Sequence, residues 1–178
     1  MRQYFNIAFL MGKPQDLPSG AEQMKAGIAF ALITYVLALA VPYGVFRAVV
    51  QALLDLACTA IVLHIALTAL GKGARFQQAF GGLCGASAFI NMAALPLYAS
   101  RPEPGSVSAM GAFADFVLLV WGLSLFGHVI RHTFEVSLVV SIVISFSYFI
   151  VLSSIISAVL PAPGLVEMSS AVSMVILS

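Results

Sequence analysis

Charge is the scarcest ingredient of this sequence. Its 178 residues hold 8 Lys and Arg and 7 Asp and Glu, so that 8% are charged, against about 25% in an ordinary soluble domain. There is too little polar surface to coat a water-soluble globule of this size, which leaves lipid as the solvent. A formal charge of +1 provides no basic face for nucleic acid, and none is expected as a partner. Cysteine is almost missing. Cys58 and Cys84 both fall in apolar runs and read as small buried hydrophobes rather than as a disulfide or a metal pair. Metal-ligand spacing is absent, as are HExxH, GxSxG, a nucleotide-binding loop and a paired acidic cluster. Serines and histidines alone do not make a triad without a positioned base and oxyanion donors. The expectation is a non-enzymatic protein with no cofactor and no metal.

What the chain does have is long apolar runs: 61% of its residues are hydrophobic. Crossing about 30 Å of hydrocarbon takes about 20 helical residues. Five runs qualify, near residues 26–43, 49–70, 79–99, 111–130 and 136–160. Between them stand Gly71-Lys72-Gly73, the RPEPGS stretch from residue 101, Arg131-His132 and the PAPG stretch from residue 161, all turn or interface chemistry. Barrel strands alternate polar and apolar residues over about ten positions; SLVVSIVISFSYFIVLSS is too long and too uniform for that. The prediction is an all-α polytopic membrane protein: a bundle of five transmembrane helices over 26–160, a leading segment over 1–25, and an apolar tail over 161–178. That tail is too short to span and would lie along the surface or pack on the bundle. Ala38-Leu39-Ala40 looks like a cleavage site, but the long leader with prolines and acidic groups before it predicts an uncleaved first span. No internal repeat is evident.

Basic residues choose the orientation. With five spans, one side carries Arg2, Lys13, Lys25, Lys72, Arg75 and Arg131, and the other Arg47 and Arg101. The expectation is a multi-pass protein of a bacterial inner membrane, with the N-terminus in the cytoplasm and the C-terminus outside. Within MRQYFNIAFLM, Arg2, Gln3 and Asn6 form one polar wedge, the pattern of a short interfacial helix in the headgroup plane. Pro14 and Pro18 in GKPQDLPSG stop it running into the first span, and Ser19 with Glu22 has capping-box spacing. The nine residues read as a corner from along the membrane to across it; a disordered polar leader is the alternative.

Ionisable and amide groups inside the runs are costly there and are functional candidates: Asp55 and His64 in the second, Asn91 in the third, Asp115 and His128 in the fourth. The carboxylates lie toward the predicted outer ends and the imidazoles toward the inner ends, as a proton or cation path would need. Helical geometry opposes a relay on one helix. Asp55 and His64 point to opposite faces, and Asp115 and His128 are about 140° apart. A buried, hydrogen-bonded structural role is the competing reading for Asp55 and His64. Gly81 and Gly85, extended by Ala88, form a small-residue face for close helix approach. Ser137, Ser141 and Ser145 recur every four residues and suit tight helix contacts, with a polar pore lining as the alternative. Pro96 predicts a kink in the third span, and Trp121 falls in mid-span, where packing is its expected role.

Two stretches, GKGARFQQAFGGLCGASAFINMAALPL and LVWGLSLFGHVIRHTFEVSLVVSIVISFSYFIV, together with the five closely spaced spans, resemble the Yip (Ypt-interacting protein) domain family over roughly residues 26–160. The resemblance lies in a basic-aromatic lead into a middle span and in paired last spans joined by a short turn. The KPQDLP corner departs from that pattern and looks more like the opening of small bacterial inner-membrane proteins. The resemblance implies action through binding rather than catalysis, and carries over no catalytic residue. The leading expectation is therefore an accessory, assembly or membrane-organising protein that contacts the lipid bilayer, other membrane proteins or itself. The alternative is a small transporter or channel component for protons, cations or a small solute.

Overall fold

A computed structural model describes residues 1–100 and 108–161. Among them are six α-helices and no strand: α1 Arg2–Ala8, α2 Ala21–Tyr43, α3 Val45–Ala69, α4 Phe76–Ala99, α5 Ala109–Phe134 and α6 Leu138–Val159. The tail over 162–178 and the RPEPGS loop, with Arg101, lie outside the described residues.

Helices α2 to α6 are 23, 25, 24, 26 and 22 residues long. At 1.5 Å per residue the shortest reaches about 33 Å, enough to cross the hydrocarbon layer. All five are apolar enough to do so. Their outward sides confirm the solvent. Ile33, Leu37, Ile61, Ile65, Phe113, Phe116, Val139, Val143, Phe146 and Ile150 are all exposed, a continuous apolar girdle that water would not tolerate on a monomer. The chain is a multi-pass membrane protein by this criterion.

Helices α2 to α5 begin earlier than the apolar runs. Glu22 and Lys25 fall in the first turns of α2, Arg47 in that of α3, and Arg131 and His132 in the last turn of α5. Polar side chains are tolerated at helix ends, where they reach headgroups, and cations favour a helix C-terminus. Arg131-His132 is thus helical, and the break comes at Glu135 in the left-handed conformation. Gly44, with φ +82, is the entire link between α2 and α3, a backbone geometry that costs glycine little. Pro42 and Pro96 lie in the last turns of α2 and α4, and both helices run on past them. Ser19 does not cap α2: the N-cap is Gly20, and Glu22 pairs with Lys25 instead. Serine caps appear where the backbone presents free N–H groups to them, Ser108 to Gly111 N at 3.1 Å and Ser137 to Val140 N at 3.3 Å.

Helix α4 is central, touching α1, α2, α3 and α5, while α6 leans on α5 and only lightly on α3. Glycine permits the tightest crossing. A Cβ on Gly27 would strike the Gly81 carbonyl oxygen, and one on Gly81 would lie 2.9 Å from Met24 Cα. The loops at one end carry Lys72, Arg75 and Glu135, and we call this the basic end. There Lys72 Nζ and Arg75 Nη1 each reach Glu135 at 2.8 Å, tying the α3–α4 link to the α5–α6 turn.

The leading segment forms the short helix α1, one face of which packs on the bundle. Tyr4, Ile7 and Ala8 are buried, against α4. The Tyr4 ring occupies the space a side chain at Gly85 would need, and Leu17 and Ile7 cover Gly82. The chain reverses at Leu10, φ 61, with Met11 N and Gly12 N both donating to Asn6 O. It returns through a 3-10 turn over Pro14–Asp16, in which Lys13 N donates to Asp16 Oδ2 at 2.8 Å. Trp121, half-way along α5, donates its indole N–H to Ala8 O at 2.7 Å, and His128 Nε2 bonds Gly12 O at 2.7 Å. These two side chains satisfy carbonyls that the irregular stretch after α1 leaves free. GKPQDLPSG is still a corner, now docked: Gln78 Nε2 holds Leu17 O at 2.7 Å, and Gln15 holds His132 O.

Candidate functional site

Half-way along α3, Asp55 turns inward. Thr59, four residues on, shares its helix face and donates to Asp55 Oδ1 at 3.3 Å. Tyr148, from the middle of α6, lies 2.6 Å from the same Thr59 oxygen. A hydroxyl carries one proton, so with Thr59 donating to Asp55, Tyr148 donates to Thr59. The result is a chain of hydroxyls ending on a carboxylate. The Tyr35 hydroxyl of α2 meets Asp55 and Gln51. Tyr148 is held in place by stacking on Phe126, with ring centres 4.6 Å apart. A carboxylate at a helix centre costs about 2.5–3.5 kcal/mol on insertion scales, and these partners offset that cost.

Asp55 faces a cavity of about 210 Å³, lined also by Tyr35, Thr59, Ser87, Asn91, Phe126 and Tyr148. Four helices bring their polar groups there at similar depth. Ser87 turns its proton to Cys84 O at 2.9 Å. Asn91 Nδ2 is buried with no hydrogen-bond partner among the described residues. A second cavity of about 300 Å³ adjoins the first, sharing Tyr35, Ile90 and Asn91, and is lined by Gln51, Tyr98 and Asp115. It lies toward the end opposite the basic one. On the basic-end side of Asp55 the core is packed with Leu63, Leu67, Phe80 and Val129. Among the described residues no Lys, Arg or His lines either cavity. The arrangement can accept a hydrogen-bond donor or a cation. Among the described residues no three His, Cys, Asp or Glu groups are placed to hold a metal.

Asp55, Asn91 and Asp115 are therefore brought to one pair of cavities. His64 and His128 are not. His64 is on the outer face of α3, its ring edge-on to Phe76 at 5.2 Å, as its half-turn offset from Asp55 requires. His128 holds the leading segment and meets His132 at 4.5 Å. The expected hydrogen-bonded bundle role for His64 is not what the structure places there. Gly81 faces α2 and Gly85 faces Tyr4. The serine stripe lies in the α5–α6 contact. Ser137 caps α6, Ser141 is fully buried and bonds Leu138 O, and Ser145 donates to Leu123 O at 2.8 Å opposite Gly127. None of the three lines either cavity.

Sequence reasoning passed over Tyr35, Gln51, Thr59, Tyr98 and Tyr148, because none is ionised and each sits in an otherwise apolar run. The usable signal was depth: Tyr35, Asp55, Thr59, Asn91 and Tyr148 all fall in the middle portion of their helices. No protein-family model, curated protein or solved structure matches the chain.

Proposed function

We propose that this chain is a small-cation transporter component, a non-enzymatic protein that admits a positively charged solute to Asp55 in mid-bilayer. One observation carries this reading: Asp55 faces a cavity with a polar lining that runs on to Asn91, and among the described residues no basic side chain lines it. Low-dielectric walls around one carboxylate favour a cation strongly. The distribution of Lys and Arg supports a cytoplasmic basic end, and hence an Asp115 cavity on the outer side of a bacterial inner membrane. Asp55→Asn keeps the shape and removes the charge. In proteoliposomes it should abolish uptake of methylammonium while the protein still elutes as a folded particle. Unchanged uptake would overturn the proposal.

The accessory or assembly role is the second reading, and one feature favours it. Between Asp55 and the basic end the side chains are apolar, and the cavity of about 220 Å³ beside Leu63, Ile130 and Phe134 is apolar too, so the polar lining ends at Asp55 and would serve binding without passage of a charge. The Yip-family resemblance points the same way. On this reading Asp55→Asn leaves partner capture and membrane organisation intact.

A further inference from the structure

The two cavities constrain what the solute looks like. Asp55 can only accept, or hold a cation. Asn91 Nδ2 is a buried donor with no partner among the described residues, and it lines both cavities. Leaving such a donor unmatched costs about 1–3 kcal/mol, so a ligand oxygen placed against it is favoured. The other polar groups of the inner cavity are committed: Ser87 to Cys84 O, Tyr148 and Thr59 along the chain to Asp55, and the Tyr35 hydroxyl to Asp55 and Gln51. The site thus offers one anionic acceptor and one neutral donor. Tyr35, Phe126 and Tyr148 add aromatic walls, which suit an organic ammonium better than a hydrated metal ion. A ligand carboxylate is disfavoured beside Asp55, because among the described residues no basic side chain lines this inner cavity.

We infer that the cavity takes a short organic ammonium carrying a neutral acceptor oxygen, with the ammonium at Asp55 and the oxygen at Asn91 Nδ2. This rests on the transporter reading and names its substrate class. Two isosteric probes isolate the oxygen: 2-methoxyethylamine, and butylamine, in which a methylene replaces it. Dissociation constants are measured by calorimetry on the full chain in nanodiscs. The ether amine should bind about tenfold more tightly, as one buried hydrogen bond implies. In Asn91→Leu the two should bind alike, with butylamine unaffected. Glycine, a zwitterion, should bind neither protein. Equal binding of the two amines to the parent chain, with both lost in Asp55→Asn, would overturn the substrate class and leave the cation site standing. Binding of both amines indifferent to Asp55→Asn would overturn the transporter reading itself. Should Asn91→Leu fail to fold, Asn91→Ala gives the same comparison.

Discussion

Gly85→Ala tests whether the leading segment is part of the bundle. The added Cβ falls inside the Tyr4 ring, so either Tyr4 leaves or the helices part; overpacking of this kind costs about 1–3 kcal/mol. Five hydrogen bonds tie the segment to the bundle: Tyr4 to Gln23 O, Gln15 to His132 O, Gln78 to Leu17 O, Trp121 to Ala8 O and His128 to Gly12 O. At about 0.6 kcal/mol each in a membrane, they supply about 3 kcal/mol. The strain is thus comparable with what holds the segment, and undocking becomes frequent. The assay is thiol labelling of Ile7→Cys, with Cys58 and Cys84 both replaced by Ala. Ile7 is 1% exposed, so label reaches it only from the undocked form. Gly85→Ala should speed labelling by about 5- to 150-fold, which is 1–3 kcal/mol, and adding Tyr4→Ala should remove most of the strain-driven acceleration. Labelling within twofold of the parent would mean that α1 is not seated on α4.

Three further outcomes follow from the packing. Glu135, outside the spans, has its carboxyl held down from 4.5 to about 2, first by the hydrogen bond from Lys72 and then by Arg75. A lowered folded-state value means its stabilisation is complete above the ordinary carboxylate range and is lost as pH falls through about 2. The Tm difference between parent and Glu135→Gln should therefore shrink from pH 5 downwards, and a constant difference would refute the clamp. Gly27→Ala drives a Cβ into the Gly81 carbonyl and should cost about 1–3 kcal/mol, read as earlier thermal aggregation in detergent; an unshifted midpoint would deny the close α2–α4 crossing. Ser145→Ala removes a single interhelix bond to Leu123 O, worth about 0.6 kcal/mol, so its midpoint should move far less than that of Gly27→Ala.

The leading segment shows why some features resist reading. Its polar wedge, Arg2, Gln3 and Asn6, fits a surface helix equally well whether the opposite side meets lipid or other helices. What places Tyr4 is the absence of a side chain at Gly85, 81 positions away. The same ambiguity hides the cavity. In a soluble protein the apolar face marks the core, but here lipid and core are both apolar, and the sequence of α6 looks alike on every side. Asp55 stands out because charge in lipid is rare. Tyr35, Thr59 and Tyr148 do not stand out, because a hydroxyl in an apolar run more often bonds its own helix, as Thr34 does to Phe30 O.

The length and apolarity of five runs by themselves determined the helical class and the solvent, since a backbone in hydrocarbon must close its hydrogen bonds within the segment. Gly81 and Gly85 of α4 marked where neighbours approach. The tertiary structure alone decided which helix faces meet, that Asp55, Asn91 and Asp115 share adjoining cavities while His64 and His128 do not, and that Trp121 and His128 hold the leading segment. The reason is that lipid gives no hydrophobic preference for one apolar face over another. Inside and outside are then assigned by shape and by a few hydrogen bonds, which connect residues far apart in the chain.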